Sequence, residues 1–491
     1  MQVILKGEFK MKKILITFLT IIFAVSILFL SVSCKGEAGI EETAAAETTE
    51  AAETTAVETE ASVEETAEED IFSEPAELVF WWYGEQEIPG VTAYVDALCA
   101  EYNKLHPNIT VKQVHQPGDA VVSNFLAAAA ANSGPDIATM WGGIYNLEQF
   151  WAGVAAPVSD YVSEEEMSHW IGKKYSTYDG KVWASDMFAN GMPYLYNAEY
   201  FEQVGLDTEK PPQTWEELME ASGKLKAAGI QPMTVGWVGG YQFVTMAGDL
   251  IFQYVTVQDV KEMVVGTKKF TDSPGLLEVF KKIDEYNRAG YFLDAGMSLD
   301  QFGAFEEFRK GAAGIASSTP LPLFLSWVDD VGPDKYKYIP VFPKFADAKY
   351  PLPGPPAFVF SEFITSWSPN KELAADFLVF MHSQKSLELA VEILKGNLMP
   401  VDDRYDPGTI ADPLKREIAE MMMESFKGDS THFDMYLPYA ITGENMSVVA
   451  QQLILGEVTP EEAVELVEQN AQVWREQNPE YVENFKKWIE E

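Results

Sequence analysis

From Glu77 onward the chain alternates short apolar runs with amphipathic stretches. "ELVFWWYG" is an apolar run closed by glycine, which reads as a buried strand. In "YVDALCAEY", Val95, Leu98, Cys99 and Tyr102 recur at i, i+3, i+4 and i+7, so they share the buried face of a helix predicted over Thr92–His106. "PNITVKQV" follows as a second strand, "SNFLAAAAANSG" as a helix closed by Gly134, and "PDIATMWGG" as a third strand. This β-α-β-α-β order predicts an α/β sheet with right-handed crossovers. Further on, "PPQTWEELMEASGKLKAAG" pairs Thr214 with Glu217 as a capping box and ends at Gly229. "TPEEAVELVEQNAQVW" repeats the device with Thr459, Pro460 and Glu462. "SPNKELAADFLVFMHS" places Ala374, Phe377, Leu378 and Met381 on one helical face. The Pro-rich segment 342–356 reads as an irregular connection.

The pattern upstream of Glu77 is different in kind. "MKKILITFLTIIFAVSILFLSVSC" has a basic start at Lys12 and Lys13, an apolar core over Ile14–Leu30, and small residues at 31–33 before Cys34. These are the parts of an export signal, and either Met1 or Met11 can begin it. Small residues directly before a cysteine resemble a bacterial lipoprotein box. That resemblance implies a signal peptide over 1–33, lipid on the Cys34 thiol, and a mature chain held at the membrane of the cell envelope, facing periplasm or exterior. The alternative, a retained helical anchor, has an apolar run at the short end for a span. Residues 34–76 are then an acidic tether of Glu, Thr and Ala with little to bury, which predicts an extended, disordered segment.

Charge narrows the partners. The 491 residues carry a net charge of −41, and 60 acids against 30 bases remain from Leu78 onward. Such a body repels phosphate backbones, so nucleic acid is not an expected partner. There are two cysteines, and no disulfide is expected between Cys34, beside a flexible tail, and Cys99, on a buried helix face.

The body, across essentially all of residues 78–491, resembles extracellular solute-binding proteins of ABC importers in the group that carries sugars and oligosaccharides. The matching pieces are "EYNKLHPNITVKQV", "SGPDI", "DGKVW", "PYLYNAEYFEQVGL", "PPQTWEEL", "FRKGAAGIASS", "SPNKELAADFLVFM" and "GEVTPEEAVE", in that order. The resemblance implies a two-lobe periplasmic-binding-protein fold, each lobe a mixed sheet flanked by helices and joined by crossing hinge strands. On that basis lobe 1 is assigned to 78–190 plus 341–398 and lobe 2 to 191–340 plus 399–491. It also implies a monomeric binder that hands its ligand to the transmembrane subunits of an ABC permease.

In open α/β sheets ligands sit beyond the carboxyl ends of strands. The first strand exits into Trp82, Tyr83, Gly84 and Glu85; the third into Trp141, Gly142 and Gly143; and "MTVGWVGG" ends at Trp237. Aromatic faces cover the C–H faces of a pyranose, carboxylates and amides bind its hydroxyls, and glycines let backbone approach. Trp141 and Trp237 are expected to face each other across the cleft. Strand alternation sends only one of Trp81 and Trp82 into the core, which leaves Trp82 for the ligand. By resemblance, Asn190 lies where such binders place a polar contact, with Asp186 just before it. Ser318 follows an apolar strand, and Glu362 stands where the family often shows glycine. "HFDMYLPY" offers Asp434 and Tyr436. Packing is the alternative role for every one of these aromatics.

Arg309, Arg404 and Arg416 are scattered and no Gly-rich phosphate loop occurs, which favours a neutral carbohydrate over an anionic ligand. A polyamine is the alternative within this fold, with Glu85, Asp186, Asp249, Glu362 and Asp434 as its acids. A surface glycan hydrolase is the alternative of another class. No G-x-S-x-G, H-E-x-x-H or clustered His/Cys spacing is present, so neither an enzyme nor a metal or cofactor site is expected.

Overall fold

The computed structural model describes residues 71–490, apart from 119, 340–342, 351–356 and 428–431. The signal, Cys34 and almost all of the tether lie outside the described residues, as does the side chain of Asp249. Residues 69–491 form one compact unit, built on two sheets.

The first sheet has seven strands: β1 Ala76–Trp82, β2 Ile109–His115, β3 Ile137–Trp141, β4 Ala155–Ala156, β5 Ala184–Gly191, β10 Ala357–Thr365 and β11 Met399–Pro400. Their order is β11-β5-β10-β3-β1-β2, with β4 on β10. The β1–β2 and β1–β3 pairs are parallel. The crossovers are α1 Val91–Leu105 and α2 Val121–Ala131, as the apolar periodicity predicts. The second sheet comprises β6 Tyr194–Asn197, β7 Met233–Thr234, β8 Ile315–Ala316 and β9 Tyr336–Ile339, ordered β9-β6-β8-β7. The chain crosses from one sheet to the other between β5 and β6, through Met192 and Pro193. This is the mixed two-sheet α/β architecture the sequence predicts.

Helices fill the faces: α3 Ile144–Trp151, α4 Trp215–Ala227, α5 Tyr241–Ile251, α6 Val257–Val265, α7 Leu321–Val331, α8 Lys371–Met381 and α9 Pro460–Gln477. Both expected capping boxes form, Thr214 with Glu217 and Thr459 with Glu462. Val95, Leu98, Cys99 and Tyr102 are buried together, as are Ala374, Phe377, Leu378 and Met381.

Two local expectations are corrected. Helix α2 ends at Asn132 in the left-handed conformation (φ 46°), two residues before Gly134, because an asparagine tolerates that cap. The assignment of 399–491 to lobe 2 also starts too early. Met399 and Pro400 still pair with Ala189 and Phe188 in the first sheet, and Asp402 bridges back to Trp170.

One irregularity bears on buried charge. Between β5 and β10 the register slips, so Phe188 faces Phe360 while Asp186 faces Ser361, and Met187 is the extra residue of a bulge. The Met187 N–H, out of the ladder, donates to Glu362 Oε2 at 3.0 Å.

Candidate functional site

The loop after β1 sets the first wall. Helix α1 begins at Gly90 with no side-chain cap of its own. Glu85 takes that role. Its Oε1 accepts from the Gly90 N–H at 2.9 Å, and its Oε2 from the Thr92 N–H at 2.8 Å and hydroxyl at 2.6 Å. Glu85 is therefore a helix cap and not the ligand contact expected of it. Glu85→Ala should cost about 1–2 kcal/mol, read as a lower urea midpoint with unchanged slope.

The second acid of this loop is Glu87, two residues on. Its carboxylate is buried and accepts one long hydrogen bond, from Asn190 Nδ2 at 3.4 Å. Asn190 Oδ1 in turn accepts from the Leu321 N–H at 3.2 Å, the first residue of α7. One amide thus ties the end of β5 to the second sheet's helix. Burial, and then the field of Asp434, push the Glu87 carboxyl up to about 7.

Above Glu87 runs a row of rings. Tyr83 lies 4.9 Å from Trp141, Trp141 lies 5.4 Å from Tyr145, and Tyr145 lies 6.2 Å from Tyr439. The Tyr145 hydroxyl meets Thr442 Oγ1 at 3.3 Å, on a π-helical turn, Ala440–Met446, of the kind that recurs at functional sites. Tyr241, at the start of α5, is close enough to act electrostatically on Tyr83. Tyr83 is only 2% exposed, yet its hydroxyl has no partner, and neither does the Trp141 indole N–H. Burial raises the Tyr83 and Tyr145 phenols well above the usual tyrosine range, so both are neutral.

The turn Phe433–Tyr436 packs between α3 on one side and α5 and α6 on the other. Gly142 and Gly143 make this possible, since a Cβ on Gly143 would come 2.4 Å from the Met435 carbonyl oxygen and one on Gly142 would meet Val359. Gly142 is thus a packing glycine. The turn presents Asp434, which acts on both Glu87 and Tyr145 and lies 2.8 Å from His432 Nδ1. Tyr436, expected in the cleft, instead stacks on Trp488 at 5.8 Å, under the C-terminal helix.

The other assignments divide in the same way. Trp82 is fully buried, packs against His115 and donates its indole N–H to Gln113, so it is a core side chain and not the ligand contact expected of it. Trp237 does not face Trp141. It sits 1% exposed against Phe292 and Phe243, and its carbonyl accepts from Gln451 Nε2 at 2.7 Å. Asp186 and Glu362 are fully buried within the first sheet. Asp186 Oδ1 accepts from Ser176 and Ser361, while Glu362 holds the bulge. Ser318 is fully buried at φ 40°, with an unpartnered hydroxyl, in the turn that leads to Leu321 and Asn190. A non-glycine residue in that region is strained, and such strain concentrates at binding sites.

Of the expected set, then, Tyr83, Trp141 and Asn190 come together, and Ser318 stands beside Asn190's partner. Glu87, Tyr145, Tyr241 and Tyr439 complete the cluster. Among the described residues no group of three or more His, Cys, Asp or Glu side chains could hold a metal ion, and no helix is long and apolar enough to cross a membrane.

Comparison with known proteins gives these features a setting. Residues 97–416 match the bacterial extracellular solute-binding protein family. The sn-glycerol-3-phosphate-binding periplasmic protein of Agrobacterium fabrum is 25% identical over 252 residues, covering 49% of this chain and 56% of that protein. Its counterpart in Shigella flexneri serotype 5b is 26% identical over 244 residues, covering 49% of each. The chain spans about half the length of these curated relatives. Among solved structures, a chitin oligosaccharide binding protein superposes with a TM-score of 0.70 at 20% identity, covering 81% of this chain and 98% of the other. An ABC transporter solute-binding protein from Thermotoga lettingae, bound with alpha-D-tagatose, gives 0.67 at 21%, covering 80% and 98%. These likenesses establish a common fold. With the family match running over well more than half its length, the chain belongs to the bacterial extracellular solute-binding proteins.

Proposed function

We propose that the protein is the binding component of an ABC importer, which captures a carbohydrate between its two lobes and delivers it to the transmembrane permease. The observation that carries this reading is the row Tyr83–Trp141–Tyr145, with a buried phenol oxygen and an indole N–H both lacking partners, beside Glu87 and Asn190. Ring faces suit the C–H faces of a sugar, and the polar atoms suit its hydroxyls. Binding proceeds by closure: a ligand that touches both halves shifts the population toward the closed form. The protein acts as a monomer without catalysis, metal or cofactor, and its two carboxylates serve recognition. Lipid on Cys34 holds it at the envelope, and intact-mass analysis of membrane-extracted protein, showing a diacylglycerol adduct on a chain beginning at Cys34, tests the anchor.

The ligand reading is tested by thermal melting against a panel of mono- and oligosaccharides. A sugar at a hundred times its Kd should stabilise the protein by about 2.7 kcal/mol. Sn-glycerol-3-phosphate, which the curated relatives are named for binding, should give no shift, because among the described residues no lysine or arginine pairs with Glu87 or Asp434 to receive a phosphate. A melt moved by no sugar but raised by spermidine would return the polyamine reading.

A further inference from the structure

We propose that Asp329, Lys415 and Asn397 form a clasp across the crossing between the two sheets, a positioning cluster that sets the angle between the two halves without touching ligand. This rests on the closure reading above and names the side chains that hold its resting geometry.

The three residues come from segments tied to different sheets. Asp329 lies on α7, which runs between β8 and β9 of the second sheet. Asn397 lies between the helix Gln384–Leu394 and β11, the strand that pairs with β5 in the first sheet. Lys415 is on the helix Pro413–Lys427. Both Asp329 oxygens are held by groups from outside its own sheet. Oδ1 accepts from Lys415 Nζ at 2.7 Å, and Oδ2 accepts from Asn397 Nδ2 at 3.1 Å. Lys415 Nζ also donates to the Lys395 carbonyl at 3.1 Å, two residues before Asn397. The Lys415 side chain is only 3% exposed, and that of Asp329 30%. The neighbouring acid behaves differently: Asp330 accepts from Arg309 at 2.8 Å, a pair that stays within the second sheet's half.

The packing at the crossing explains why a clasp is needed. Strand β5, α7 and the helix Pro413–Lys427 converge on Gly191, where a Cβ would come 2.8 Å from Met422 Sδ and 2.9 Å from Leu321 Cδ1. The same residues line a cavity with about 20 Å³ of room for a water centre, walled by Gly191, Leu321, Leu325, Ile418, Met422 and Lys415. A joint built from a glycine and a flexible methionine around a void resists rotation less than a filled core does. Directional polar bonds must then fix the angle. Lys395, whose carbonyl completes the clasp, is held at φ 54°, a left-handed conformation that costs energy in a lysine and persists only where its surroundings enforce it. An ion pair withdrawn from water adds little net stability over apolar side chains of the same size, and its best-attested use is to select one arrangement among several. Bonds to both oxygens of one carboxylate, from two separate segments, make that selection here.

The test is a pulsed electron spin distance measurement on the full chain, without sugar, between nitroxides on ketone-bearing residues placed at 104 and 310. Lys104, on α1, and Lys310, ahead of β8, are exposed positions on the two halves, and the ketone chemistry leaves Cys34 and Cys99 alone. Lys415→Met and Asp329→Asn should each widen the distance distribution about twofold, and either one serves where the other fails to fold. Arg404→Met breaks a pair with Asp402 and Glu166 inside the first sheet's half. It should lower the urea midpoint and leave the distribution at the parent's width, which separates positioning from lost stability. Equal widening by Arg404→Met overturns the proposal. Pro193→Gly loosens the crossing itself and should widen the distribution as well. A width unchanged by both clasp variants but raised by Pro193→Gly overturns the clasp and leaves closure standing. A width that none of these three variants raises overturns the clasp and the closure reading together.

Discussion

Trp237→Ala is expected to lower stability by about 3–5 kcal/mol, whereas Trp141→Ala should leave the unfolding midpoint nearly unchanged and weaken ligand binding by roughly 10- to 100-fold. The two tryptophans follow their strands in similar sequence contexts, beside glycines, but their surroundings are opposite. Trp237 is enclosed by Phe243 and Phe292, and Gly296 lies so close that a Cβ there would come 3.2 Å from the indole nitrogen. Truncation leaves a cavity that these neighbours cannot close, since Trp237 is also held through its backbone to Gly296 and Gln451. Trp141 is only half-buried, its ring partners are Tyr83 and Tyr145, and its indole N–H has no protein partner. What it loses on truncation is lost by the complex and not by the free protein. Urea unfolding and ligand titration of both variants separate the cases. A destabilised Trp141→Ala with unchanged affinity would place that ring in the core.

The same contrast explains what the sequence made legible. Local signals carried through wherever the physics was local. Both threonine–glutamate capping boxes, the buried face through Cys99 and the strand–helix alternation need only neighbouring residues to be decided. Site assignment needs distant ones. Trp82 is buried because His115 and Gln113 of the parallel neighbour cover it, and nothing in "FWWYG" announces that strand. Glu85 and Glu87 look alike in the sequence. The clue was the helix start: with glycine before Val91 and no Ser, Thr, Asp or Asn there, an upstream acid had to satisfy the free N–H groups. Tyr145, Tyr241 and Tyr439 carried no signal, since each is a single aromatic near a helix start whose role depends on which helix faces it. Asp434 was named, but its relation to Glu87 arises only when residues more than 300 positions apart are brought together.

The protein should be most stable in mildly acidic solution and lose stability steadily from pH 5 to pH 8, with Asp186→Asn removing a large part of that decline. Asp186 is fully buried in the first sheet. Its Oδ1 accepts from the Ser176 and Ser361 hydroxyls, its Oδ2 has no partner, and Gly172 packs against that oxygen. Burial lifts its carboxyl to about 7, against the two serine hydrogen bonds, from about 4 in an unfolded chain. Glu362 next to it is raised by burial and by Asp186 itself. Between the unfolded and folded values the native state binds more protons, so stability falls as pH rises through that window. For Asp186 alone, three units amount to on the order of 4 kcal/mol, fully lost above pH 7 and regained below pH 4. Below about pH 4 the trend reverses. Burial works against Asp402 as well, but the hydrogen bonds from Arg404 and His382 hold its carboxyl well below the usual range, so protonating it there removes stability. Asparagine has nearly the shape of the protonated acid and keeps an oxygen for Ser176 and Ser361. Asp186→Asn should therefore match the parent near pH 4 and exceed it by a few kcal/mol at pH 8. Urea midpoints at the two pH values decide the matter: a variant that is weaker than the parent at pH 8 would mean that Asp186 is ionised in the fold and held there by a partner charge.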